Sequence, residues 1–128
     1  MIIRADDLVP EDITRLLRAA PTRTQTKGLP LSGRAGAPIA KFGFWALSLT
    51  AQETDEWDVS EAIRLLISRF SAQPGVWKSI PEGGNVLLNI GLHLEGANKG
   101  FSLPADVSQF VADRNIEIEF DIYDRTMA

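Results

Sequence analysis

Between Gly84 and Glu95 the chain alternates cleanly. Val86, Leu88, Ile90, Leu92 and Leu94 share one parity, while Asn85, Asn89, Gly91, His93 and Glu95 share the other. Side chains of a strand point to alternate faces, so this run predicts a long strand with one apolar and one wet face, near the middle of a sheet. Ile116 to Tyr123 repeats the pattern. Ile116, Ile118, Phe120 and Ile122 form its dry face, and Glu117, Glu119 and Asp121 its wet face. Ile2 to Ala5 is a further short strand. Phe42 to Thr50 is another, with Trp45, Leu47 and Leu49 on one parity and Phe42, Phe44, Ala46 and Ser48 on the other. Both of its parities are largely apolar, which allows cover on both faces. If Trp45 faces helices, Phe42 and Phe44 face away from them.

Three segments show helical spacing instead. Pro10, with Glu11 and Asp12 behind it, opens the first helix, and Ile13, Leu16, Leu17 and Ala20 form its stripe until Pro21. Asp58-Val59-Ser60-Glu61 has capping-box spacing ahead of Ile63, Leu66, Ile67 and Phe70, and Pro74-Gly75 ends that helix. Pro104 begins the third, with Val107, Phe110 and Val111 inward and Asn115 at a left-handed cap. Val76 to Ile80 is a short apolar connection, and Pro81 to Gly84 a turn.

The order is β-α-β-α-β-α-β. A doubly wound sheet, buried on both faces, does not carry Glu117, Glu119 and Asp121 on one of them. The expectation is therefore an α+β two-layer sandwich: a mixed sheet of about four or five strands with three helices on one face. Length favours a single domain over residues 1–128, with a long Gly/Pro-containing loop at 21–41. A connection of that length inside a compact domain is generally functional or mobile.

Composition narrows the chemistry. The chain has no cysteine, which removes disulfides, thiolate metal sites and thiol nucleophiles. A net charge of −4 argues against a nucleic-acid binder. No signal-peptide pattern and no membrane-length apolar run is present, so a cytoplasmic protein is expected. Charge is nonetheless uneven: residues 21–41 hold Arg23, Lys27, Arg34 and Lys41 and no acid.

A resemblance adds a family. Asp7-Leu8-Val9-Pro10-Glu11-Asp12-Ile13-Thr14, then Ala20-Pro21-Thr22-Arg23-Thr24 and Lys27-Gly28, resembles the start of the uncharacterised bacterial domain-of-unknown-function family 4279. Trp45, Leu65-Leu66, Phe101 to Pro104 and Phe120-Asp121-Ile122-Tyr123 extend the likeness to Asp124. Val9 stands where a polar cap is usual, and Arg18-Ala19-Ala20 replaces a commoner Leu-Gly-type ending. The resemblance implies no activity.

The candidate sites are accordingly modest. His93, the one histidine, has only Glu95, Glu117, Glu119 and Asp121 as partners for a metal, and they form no recognisable ligand cluster. Alternating acids on a wet strand are more often solvated than a working carboxylate pair. Gly28 to Ala35 has the glycine spacing of a phosphate loop but lacks its Lys and Ser/Thr and leads to no helix. Thr22, Arg23, Thr24 and Lys27 form a hydroxyl-and-cation cluster suited to an anion. Phe42 and Phe44, rimmed by Asn89 and His93, suit a protein interface. The leading expectation is a non-enzymatic protein-binding module without cofactor or metal. It would act on a protein partner or a second copy as a homodimer, and by analogy fits an immunity-type role. A small-ligand or anion binder using Arg23 and Lys27 is the alternative, and an enzyme of unknown reaction the third.

Overall fold

A computed structural model of the chain describes residues 1–49, 56–70, 73–80, 84–96 and 98–124. Residues 81–83 of the turn expected at Pro81 to Gly84, and Thr50, fall outside these. Five strands form one sheet: β1 (Ile2–Ala5), β2 (Arg23–Gln25), β3 (Gly43–Ala46), β4 (Asn85–Leu94) and β5 (Ile116–Asp124). Their order is β2-β3-β1-β4-β5, so the four-residue β1 is the central strand. It pairs antiparallel with β3 and with β4, β2 pairs antiparallel with β3, and β4 pairs parallel with β5. The sheet is mixed and the fold is α+β.

The helices are α1 (Pro10–Leu17), α2 (Val59–Ile67), α3 (Pro74–Trp77) and α4 (Ala105–Asp113). α1 begins at Pro10 without a side-chain cap, since Val9 has nothing to offer the free N–H groups. It ends on Arg18 in the left-handed region (φ 54), a conformation that favours glycine. α2 is capped as its sequence requires: Asp58 Oδ1 accepts from the Glu61 N–H at 3.2 Å. Asn115 (φ 55) follows α4 in the expected left-handed conformation.

Three segments differ from the sequence reading. The strand expected over Phe42 to Thr50 is confined to Gly43–Ala46, and residues 47–49 belong to no strand. Segment 21–41 contains β2, a single 3₁₀ turn at Leu31–Gly33 and an isolated bridge between Pro30 and Ile39. Three residues of Arg, Thr and Gln carry no apolar alternation, so β2 exists through its pairing with β3. The connection after Pro74 forms the short helix α3.

One core joins the helices to one face of the sheet. Ile3, Trp45, Leu92, Leu8, Ile13, Leu17 and Val59 are its most deeply buried large side chains, with Ile63, Val86, Leu88, Val107, Val111 and Ile116 around them. The indole N–H of Trp45 donates to Thr14 Oγ1 on α1 at 3.0 Å, so Trp45 faces the helices. Arg64 on α2 clamps α4 through two bonds to Asp106, of 2.6 and 3.1 Å. Ile122, on the dry parity of β5, is exposed all the same.

Candidate functional site

With Trp45 turned to the helices, the opposite parity faces outward. Residues directly opposite across a ladder share a face, so the register gives this second surface residue by residue. β2 supplies Arg23 and Gln25, β3 Phe44 and Ala46, and β1 Ile2 and Arg4. β4 adds Asn85, Leu87, Asn89, Gly91 and His93, and β5 adds Glu117, Glu119, Asp121 and Tyr123. Phe42, just before β3, continues the parity of Phe44. Ile2, Phe44 and Leu87 are half-buried and lie outside the helix-side core.

The aromatic end of this face is tied down by cations. The Arg4 guanidinium lies 5.3 Å from the centroid of Phe42, and that of Arg23 lies 5.1 Å from Phe44. A guanidinium over an aromatic ring is attracted by the ring's negative face while keeping its own edge for further bonds. The two rings are 6.5 Å apart, and Gln25 Nε2 donates to the Phe42 carbonyl at 2.8 Å. Phe42 and Phe44 are therefore partly covered by two arginines.

The other end is acidic. Asn89 Nδ2 donates to Glu119 at 3.0 Å and to Asp121 at 2.8 Å, holding two carboxylates of β5 together. His93 stacks on Tyr123, with ring centroids 5.3 Å apart, and its Nδ1 bonds Glu56. His93 and Asn89 thus share this face with Phe44 but sit across β1 from it. Among the described residues no group of three His, Asp or Glu side chains is placed to hold a metal ion.

The four residues of the hydroxyl-and-cation cluster do not share one face. Lys27 bonds Asp6 at 2.7 Å, and that hydrogen bond and charge raise its pKa. Arg23 lies on the outward face, whereas Thr24 sits opposite Trp45 with the other parity. Thr22 Oγ1 accepts from the Ser48 N–H at 2.9 Å. A hollow of about 210 Å³ lies between α2 and β4, walled by Ile63, Leu66, Leu88 and Ser48 among others. The Met1 amine in its wall donates to the Leu47 carbonyl, and burial pushes its pKa from 8.0 down to about 6. A second hollow is lined by residues 57–60, 99–102 and 104. None of Thr22, Arg23, Thr24 and Lys27 lines either one.

Sequence reasoning missed Arg4, Glu56 and Tyr123. The alternation Ile2-Ile3-Arg4-Ala5 did carry a signal for Arg4, but its use required knowing that β1 lies beside β3. Glu56 reaches His93 from 37 residues away, with nothing local to announce it.

The geometry defines an α+β protein with helices on one sheet face and a charged, partly aromatic second face. No described helix is long and apolar enough to cross a membrane. The chain belongs to the family described as Domain of unknown function (DUF4279), whose model matches residues 1–125. No curated protein and no solved structure matches the chain.

Proposed function

We propose that this protein is a non-enzymatic protein-binding module whose contact surface is the outward face of the sheet. The observation that carries the reading is the strip Phe44, Ile2 and Leu87, half-buried and outside the core, with arginines at one end and carboxylates at the other. An apolar centre within a charged rim is the usual anatomy of a protein contact. Aromatic residues and Arg are enriched at such contacts.

The test is Phe44→Glu, read by circular dichroism and by chemical cross-linking in cell lysate on the same preparation. The variant should keep its secondary structure, because Phe44 lies outside the helix-side core, and should lose the adducts formed by the wild type. Adducts that survive unchanged would place the contact elsewhere. Loss of fold with loss of adducts would make Phe44 a structural residue.

A further inference from the structure

β1 is short and β4 is long, and the mismatch leaves a gap inside the sheet. Ile2 of β1 lies opposite Leu87, and no residue of β1 lies opposite Asn89 to Leu94. On the other side of β1, Met1 and Leu47 exchange backbone bonds of 2.6 and 2.9 Å. Met1 thus bonds towards β3, and Ile2, next in line, bonds the opposite way, towards Leu87. Along β4 the backbone groups of Leu87, Asn89, Gly91 and His93 aim to that same side. The His93 carbonyl is taken by the Trp57 indole N–H at 3.1 Å, which closes the far end. Between Leu87 and His93, the N–H and C=O groups of Asn89 and Gly91 meet no ladder partner among the described residues.

This stretch of β4 borders the hollow of about 210 Å³ beside α2. Leu88 to Gly91 line it from β4, Ser48 and Leu49 from the β3 side, and Ile63 and Leu66 from α2. β3 and β4 both flank β1, so beyond the end of β1 their lines stand two strand spacings apart, about 9.6 Å. That is the room one strand takes. Ile90 carries the mark of the gap: it lies between buried Leu88 and Leu92 on the dry parity, yet is only half-buried.

We infer that this hollow is a docking slot for an extended segment of a partner protein, which enters as a short strand antiparallel to β4 and in line with β1. The contact is additional to the outward face and stands without it. A strand is the occupant because the open groups are backbone donors and acceptors at strand spacing, which another backbone matches in register. The volume also falls below the roughly 300 Å³ at which small-molecule pockets begin. Opposite Ile90, the occupant's side chain points into the hollow against Ile63, Leu66 and Leu88, and is aliphatic. Opposite Gly91 it points outward, where Gly91 has no side chain to separate it from Asp121 on β5. Asn89 holds Asp121 together with Glu119, so lysine or arginine suits that position. The segment recognised is an aliphatic residue flanked by bases.

The probe is a short capped peptide of alternating valine and lysine, followed by fluorescence anisotropy against the full chain. It should bind saturably, and Gly91→Pro should weaken it about fivefold, since one backbone donor facing the slot is lost. That donor takes no part in the pairing with β5, so the variant should keep its circular dichroism. N-methylation of the peptide's lysine amides, which face β4, tests the same bonds on the wild type and should abolish binding. Amide exchange at Asn89 and Gly91 should slow when the unmethylated peptide binds. Absence of saturable binding overturns the inference, as does binding that survives methylation, which is how an apolar ligand without backbone pairing would behave. Protection at the outer strands β2 or β5 in place of Asn89 and Gly91 overturns it too. Phe44→Glu should leave peptide affinity unchanged; its loss in a folded variant would move the peptide to the outward face and refute the slot.

Discussion

Gly43→Ala gives the most direct test of how β3 is seated. Gly43 is buried opposite Ala5 of β1, beside the turn that carries the chain from β1 into α1. A Cβ built there would lie 2.5 Å from the Leu8 carbonyl oxygen and 3.2 Å from Leu8 Cβ. The oxygen contact is half an ångström inside the 3.0 Å that real Cβ atoms essentially never cross. The obstacle is backbone, and Leu8 is itself 1% exposed, so relief means separating β3 from the turn or pulling Leu8 from the core. Overpacking of this kind costs about 3 kcal/mol at the upper end of its ordinary range. Alanine also restricts the unfolded chain, which offsets roughly 0.7 kcal/mol of that.

The expected net loss is about 2 kcal/mol, or a fall of roughly 8 °C in melting temperature for a chain of this size. Gly91→Ala is the matched control: it is also a strand glycine, and its Cβ would meet only Tyr123 Cε2 at an ordinary 3.8 Å. That variant should be neutral or more stable by up to about 1 kcal/mol. Urea melts of both variants decide it. Equal stabilities would show that the close approach of Leu8 to β3 is wrong.

Three further outcomes are expected. Leu88→Ala, at 4% exposure on the helix side of β4, should cost about 2–5 kcal/mol in a urea melt, and Asn89→Ala, its exposed neighbour, less than about 1 kcal/mol; similar losses would contradict the one-sided sheet. Arg18→Gly should raise stability by about 0.5–1 kcal/mol in thermal melts, because Arg18 holds a left-handed conformation that costs an L-residue but not glycine; a loss would mean its side chain contributes more than its backbone costs. The Arg64 guanidinium, by its hydrogen bonds and charge, holds Asp106 below the usual carboxylate range. A depressed carboxyl adds stability that is present above its unfolded pKa and lost as pH falls through its folded one. The gap in urea midpoint between wild type and Arg64→Gln should therefore exist at pH 7 and shrink below about pH 4; a gap independent of pH would assign the effect to packing.

Local pattern settled the elements whose signal is local. The parity of β4 and β5 is written in adjacent residues, so the one-sided sheet and its helical cover were legible. The Asp58 cap and the left-handed Asn115 need only their own turns, and both could be read directly. Recognition of the family also rested on short runs in order, and the family model matches residues 1–125.

Tertiary structure decided everything that depends on strand neighbours. β2 has no pattern of its own and is a strand because β3 lies beside it. The place of β1 at the centre, the parallel pairing of β4 with β5, and the bond from Lys27 to Asp6 join residues with no spacing rule between them. The alignment of Arg23, Ala46, Ile2, Leu87 and Glu117 in one row across the sheet is of the same kind. Hydrogen-bond ladders bring together whichever backbone segments the buried face aligns, and a one-residue slip in any of four pairings would dissolve the row. Each residue's face could be read from its neighbours in the chain, but its companions on that face were set by the register of the folded sheet.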